Sequence, residues 1–168
     1  MTEHEVKIRP FRMDDKECLA QLANNKKLWD NLRDYIPNPY SLNDAETYIT
    51  FCVSQNPKTY FAVECNGELV GSIGLILQSD VYRKSAEIGY WIGEPFWGKG
   101  IASKAVALIV EYGFQNFDIV RIFTGVFGFN IGSQRVLEKN GFIKEAIFKK
   151  AIFKNGVFSD EIRYAIVK

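Results

Sequence analysis

Val6, Ile8 and Phe11 bracket a short apolar-alternating segment that predicts a first strand, ended or pushed to a sheet edge by Pro10. Asp14, with Glu17 three residues later, has the spacing of a capping box and opens a short helix through Leu19, Leu22 and Ala23. From Ser41 the apolar positions Ala45, Tyr48, Ile49, Cys52 and Val53 recur at helical spacing. Tyr60–Cys65 and Glu68–Leu77 then read as strands on either side of Asn66-Gly67, the pair that supplies the positive φ angles of a tight type I′ turn. Ser85–Ile92 is a further strand, followed by a glycine-rich bend and a helix from Ile101 to Phe114, with Ala105, Leu108, Ile109 and Tyr112 on one face. Val120–Phe127 predicts a strand, and Gly132–Asn140 a helix closed by Gly141. Phe142–Ala151 and Phe158–Val167 surround a second hairpin signal, Asn155-Gly156. The order β-α-α-β-β-β-α-β-α-β-β implies an α/β fold: a mixed, mostly antiparallel sheet interrupted by one β-α-β crossover.

Composition narrows the classes. A length of 168 residues with 47% hydrophobic and 24% charged residues fits one globular domain, residues 1–168. A net charge of +1 gives no global field to recruit nucleic acid or an anionic membrane. Cys18, Cys52 and Cys65 are odd in number and lack C-x-x-C spacing, which argues against a disulfide framework and a zinc site. His4 is the only histidine and lies in a polar start expected to fray, so a His-dependent triad or metal site is not expected. That start lacks the apolar core of a signal peptide, and no run of about 18 apolar residues predicts a membrane span. The expected compartment is the cytoplasm.

The densest local signal is Gly93-Glu94-Pro95-Phe96-Trp97-Gly98-Lys99-Gly100-Ile101-Ala102-Ser103, between a strand and a helix. Glycines there let the backbone turn tightly and present N–H groups to an anion. Gly93-x4-Gly98-Lys99 matches most of a P-loop, but Gly100 stands where Ser or Thr would hold Mg²⁺. Gly98-Lys99-Gly100-Ile101-Ala102-Ser103 lacks the third glycine of a dinucleotide fingerprint, and the strand order is wrong for one. The bland alternative is a tight βα loop with no ligand.

Taken with their neighbours, these residues resemble the GNAT N-acetyltransferase superfamily. The wording Gly89-Tyr90-Trp91-Ile92, then Trp97-Gly98-Lys99-Gly100-Ile101-Ala102, then Asn130-x-x-Ser133 … Glu138-Lys139-Asn140-Gly141-Phe142 is similar to the branch that acetylates ribosomal-protein N-termini, as is Trp29 … Asp34-Tyr35-Ile36-Pro37-Asn38-Pro39-Tyr40. The resemblance covers essentially the whole chain. It implies a sheet flanked by helices on both faces, with a splayed strand pair holding acetyl-CoA and no metal. Tyr90, Trp91 and Ile92 would contact the pantetheine arm, a backbone N–H near Trp91 or Ile92 would meet the thioester oxygen, and Trp97, Gly98, Lys99, Gly100, Ile101, Ala102 and Ser103 would cradle the pyrophosphate. Pro95 departs from the Arg or Gln common at that place in the superfamily, which leaves loop amides, Lys99 and the helix start to hold the phosphates.

The chemistry needs a neutral amine, and a carboxylate is the usual remover of its proton. By resemblance Glu87 is the candidate base, against a plain solvated or ion-paired strand glutamate; Glu94 and Glu145 are weaker alternatives. Many members place a proton-donating Tyr where this chain has Leu137. Ser133 is then the candidate acid, against a hydroxyl bonded only to backbone, with water as the other donor. Asn130 is placed to cap the helix and to reach the pantetheine. Trp29, Arg33, Tyr35 and Tyr40 would wall the acceptor end of the cleft, or else merely pin the helices. The partner implied is an amine acceptor: a peptide N-terminus, or a small amine such as a polyamine, amino sugar or amino acid. A non-catalytic acyl-CoA-binding module is the competing class, and because many relatives dimerise the resemblance implies a monomer or a homodimer.

Overall fold

Asn66 and Gly67 take φ values of 51° and 86°, and Asn155 and Gly156 of 52° and 76°. Both two-residue turns therefore have the left-handed backbone that the Asn-Gly pairs predict. The computed structural model describes residues 4–168; the polar start at Met1–Glu3 lies outside them. The strands are β1 (Val6–Arg9), β2 (Tyr60–Cys65), β3 (Glu68–Leu77), β4 (Ser85–Ile92), β5 (Arg121–Phe127), β6 (Ile143–Lys154) and β7 (Val157–Val167). The helices are α1 (Lys16–Ala23), α2 (Lys26–Trp29), α3 (Leu42–Ser54), α4 (Ile101–Asn116) and α5 (Ile131–Lys139).

The strands form one seven-stranded sheet in the order β1-β2-β3-β4-β5-β7-β6. Its pairings are antiparallel at β1–β2, β2–β3, β5–β7 and β6–β7 and parallel at β4–β5, the crossover that α4 makes. Among the described residues the parallel ladder holds three pairs, Ser85↔Arg121, Ala86↔Ile122 and Glu87↔Phe123. β5 stays paired with β7 as far as Phe127↔Glu161. The parallel pairing thus ends at Glu87, while β4 runs on to Ile92.

Two elements differ from the sequence reading. The four-residue helix α2 is additional; Asn25 caps it by accepting the Leu28 N–H at 3.1 Å. The turn that opens α1 is closed by Asp15 and not by the Asp14–Glu17 pair, since Asp15 Oδ2 accepts the Arg12 N–H at 2.8 Å. Asp15 is drawn in by Arg9, whose guanidinium donates to both its oxygens at 2.8 and 2.9 Å and to Glu64 at 2.5 Å. The start of the described chain is also tied down, because the His4 carbonyl accepts Lys104 Nζ at 2.8 Å.

The chain divides into two compact units, each assembled from separated segments. The first holds residues up to Gly74 together with Tyr90–Ala105, and the second holds Leu75–Gly89 and Val106–Lys168. In the first, Phe11, Leu19, Ala23, Tyr40, Ala45, Ile49, Cys52, Ala62 and Leu69 form the apolar cluster. In the second, Leu75, Ile88, Ile109, Ile122, Leu137 and Tyr164 are fully buried.

The Arg9–Asp15–Glu64 group gives a stability prediction. Burial pushes the Asp15 carboxyl up, but the Arg9 guanidinium and the Arg12 N–H outweigh it and hold the group below the usual range. A depressed carboxyl pKa stabilises the fold above the ordinary Asp range, near pH 4, and that contribution is lost as pH falls through the native value. Arg9→Ala leaves two carboxylates uncompensated and should cost about 3 kcal/mol, the low end for breaking a buried pair. In that variant the unpaired Asp15 prefers to be neutral, so the deficit in urea melts should shrink between pH 7 and pH 5. A deficit that is constant with pH would contradict this account.

Candidate active site

The bend after β4 is built by three contacts within the first unit. The Gly93 N–H donates to the Val70 carbonyl at 2.8 Å, and the Trp97 indole N–H donates to the Ile92 carbonyl at 2.6 Å. The Trp91 carbonyl also lies so close to β3 that a Cβ on Gly71 would sit 2.2 Å from it. The end of β4 is thereby held against β3, and Glu94–Phe96 forms a single 3-10 turn leading into the glycines.

Gly98 and Gly100 have φ of +73° and +74°, and a Cβ built at either meets nothing within 4 Å. The glycines are therefore required by backbone conformation and border open space, not packed neighbours. The first intrahelical bond of α4 runs from the Lys104 N–H to the Gly100 carbonyl at 3.2 Å. The N–H groups of the first turn of α4 point toward its N-terminus, the positive end of the helix. Ile101 is 1% exposed, so its side chain anchors the helix and only its backbone is available to a ligand. Lys99 is exposed, its ammonium 5.4 Å from the Phe96 ring centroid. Left-handed glycines, an exposed lysine and a helix start are the combination by which a backbone can bind a phosphate group.

The acceptor-side candidates separate in the structure. Tyr40 is 9% exposed, belongs to the apolar cluster, and donates its N–H to Asn24 at 3.0 Å. Burial pushes its phenol up to about 12. It is thus a packing residue and not part of an exposed wall. The Trp29 indole donates to the Ile36 carbonyl at 2.8 Å and closes the loop on itself. Arg33 and Tyr35 are the two that face solvent, Tyr35 at 77% exposure.

The second unit carries Glu87, Asn130 and Ser133. Glu87 is half-buried on β4 opposite Phe123 in the last pair of the parallel ladder. Asn130 caps α5 by accepting the Ser133 N–H at 3.1 Å, which places Ser133 in the first turn with its hydroxyl outside the cap bond. Leu137 is fully buried. A tyrosine does reach this helix, but from β7: Tyr164 donates to Glu138 at 2.7 Å, and burial, followed by Glu138, pushes its phenol up to about 12.

The two alternative bases are engaged elsewhere. Glu94 accepts from the Asn25 amide at 2.6 Å and from Lys27 at 2.8 Å, and those donors hold it below the usual carboxylate range. Glu145 is bound by both terminal nitrogens of Arg121 at 2.7 and 2.6 Å, which holds it low in the same way. A carboxylate kept ionised by a cation is a poor proton acceptor. The partners of Glu94 lie 67 and 69 residues away in sequence, so no local pattern announces them.

Residues 5–143 match the model of the acetyltransferase (GNAT) domain. The chain belongs to the GNAT family. It is an N-acetyltransferase that uses acetyl-CoA, and its mixed α/β fold is that of its relatives. A putative ribosomal N-acetyltransferase, YdaF of Bacillus subtilis (strain 168), is 31% identical over 176 residues, covering 100% of this chain and 93% of its own. The spermidine N(1)-acetyltransferase of Escherichia coli (strain K12) is 30% identical over 144 residues, 84% of this chain and 75% of its own. Among solved structures, the microcin C7 self-immunity acetyltransferase MccE, in complex with acetyl-CoA and AMP, superposes with a TM-score of 0.83 at 27% identity, covering 98% and 93% of the two chains. Among the described residues of this GNAT chain no three His, Cys, Asp or Glu side chains cluster as metal ligands, and no helix is long and apolar enough to cross a membrane.

Proposed function

We propose that this GNAT enzyme acetylates the α-amine of a peptide or protein N-terminus. The observation that carries the reading is the make-up of the segment from Lys26 to Tyr40. Its three cations, Lys26, Lys27 and Arg33, outnumber its two carboxylates, Asp30 and Asp34. One of those carboxylates, Asp30, is held by Lys26 at 2.7 Å. Lys27 in turn holds Glu94 at 2.8 Å, so the segment has no surplus of carboxylates to gather a polycation, and with the exposed Tyr35 it suits an extended, partly apolar chain that brings a single positive charge. The match to a putative ribosomal N-acetyltransferase along the whole chain supports the same choice. The competing acceptor is a polyamine, favoured by the relative named for spermidine.

When bound, acetyl-CoA supplies an acetyl group activated as a thioester. The residues from Trp97 to Ser103 would hold its phosphates through the loop and helix-start amides, with Lys99 adding charge, and Tyr90, Trp91 and Ile92 would line the pantetheine arm. In this reading Glu87 removes the ammonium proton from the acceptor, whose α-amine has a pKa near ~8 and is mostly charged at neutral pH. A backbone N–H near Trp91 or Ile92 stabilises the negative charge that develops on the acetyl oxygen, a contribution of about 3–4 kcal/mol where such donors have been removed. Ser133 gives a proton to the departing sulfur, and Asn130 keeps the α5 start in place. Arg33 and Tyr35 contact the acceptor, while Trp29 and Tyr40 hold the loop that presents them.

Release of free CoA on adding short peptides tests this reading. Turnover is expected with Ala- or Ser-terminated peptides and is expected to vanish when the same peptides are blocked at the N-terminus. Equal turnover with blocked peptides would contradict it.

A further inference from the structure

We infer that Asn25 and Glu94 form a clamp that fixes the acceptor segment to the loop carrying the cofactor cradle, so that Asn25 is a positioning residue for the amine. The inference rests on reading the Lys26–Tyr40 segment as the acceptor wall.

The Asn25 side chain uses both ends. Its oxygen accepts the Leu28 N–H at 3.1 Å and so starts α2, the first element of the acceptor segment. Its nitrogen donates to Glu94 Oε2 at 2.6 Å. Glu94 opens the 3-10 turn whose backbone continues into Trp97, and the Trp97 N–H donates to the Glu94 carbonyl at 3.1 Å. Two residues after Glu94's turn come the left-handed glycines of the cradle. The neighbouring Asn24 holds the far end of the segment, since its oxygen accepts the Tyr40 N–H at 3.0 Å. Consecutive asparagines therefore fix both ends of a stretch of about fifteen residues, which the Trp29–Ile36 bond closes in the middle. Leu22, on α1 just before them, abuts the cradle's root: a Cβ on Gly93 would come within 2.7 Å of its Cδ2.

The Asn25 side chain is short-range in sequence to the acceptor segment and long-range to the loop, so the clamp is a polar route by which the position of Arg33 and Tyr35 depends on the cradle. Lys27 adds an ion pair to the same carboxylate at 2.8 Å, but its side chain is 75% exposed, so the Asn25 bond carries most of the effect.

Steady-state kinetics with an amine that the wild type turns over, together with acetyl-CoA titration, tests the clamp. Glu94→Ala is expected to raise the KM for the amine about tenfold, the effect of one hydrogen bond to a charged group. The kcat and the acetyl-CoA affinity should change little. Asn25→Ser, which keeps an oxygen for the helix cap, should give the same rise, and the double variant no further rise. Glu94→Gln retains an acceptor for Asn25 and should restore a KM near wild type. If these variants lower the melting temperature but leave the amine KM unchanged while Tyr35→Ala raises it, the clamp is refuted and the acceptor wall stands. Unchanged KM in Tyr35→Ala as well would overturn the wall and the clamp with it.

Discussion

Gly100→Asp is expected to abolish acetyl-CoA binding while the protein stays folded. Gly100 sits at φ +74° with open space where its side chain would go, so Asp clashes with nothing and pays only for a left-handed backbone that Asp tolerates better than most residues. Its carboxylate arrives beside the N–H groups of Ile101 to Ser103. That carboxylate competes with the phosphates for those donors and sets a like charge against them, so the phosphates lose their amides. Losing two hydrogen bonds to a charged group corresponds to roughly 3–6 kcal/mol, or about 10²–10⁴-fold in affinity. Gly100→Ala separates strain from charge, since it pays for the backbone alone and should weaken binding far less. Calorimetry showing unchanged acetyl-CoA affinity in Gly100→Asp would remove the loop from the cofactor site.

Glu87→Gln should lower kcat about 10²-fold, the low end of general-base contributions, with acetyl-CoA affinity intact. Glutamine matches glutamate in shape and leaves the ladder at Phe123 undisturbed. Full kcat at every pH would transfer the role to another group or to water. Glu145→Gln is the matched control: Glu145 is bound to Arg121, and the change should leave kcat in place. Ser133→Ala should lower kcat without altering the helix, because the Asn130 side chain caps it through the Ser133 N–H, which alanine keeps. Near-wild-type turnover there would assign proton donation elsewhere.

What the sequence discloses is what short-range physics decides. Asn66-Gly67 and Asn155-Gly156 announce hairpins because few other pairs accept two positive φ angles, and Gly98 and Gly100 announce an amide-lined bend for the same reason. Ser41 starts α3 as its spacing predicts, with the Asp44 N–H bonded to its hydroxyl at 3.1 Å. The misses have long-range causes. Asp15 displaces Asp14 as the capping carboxylate because Arg9, bridging to Glu64, requires a partner there. α2 has only four residues, too few for any periodicity to register. Tyr40 resembles a wall residue in sequence, yet the Asn24 bond and the apolar cluster turn it inward. Glu94 looks like a spare carboxylate until Asn25 and Lys27 are brought to it.

The choice of acceptor is most directly tested in a single tube. Equimolar spermidine and a short peptide with a free N-terminal Ala and one internal lysine are incubated with limiting acetyl-CoA, and the products are located by tandem mass spectrometry. The account predicts that most of the acetyl group is on the Ala α-amine. Preferential acetylation of spermidine, or transfer only to the internal lysine, would contradict it.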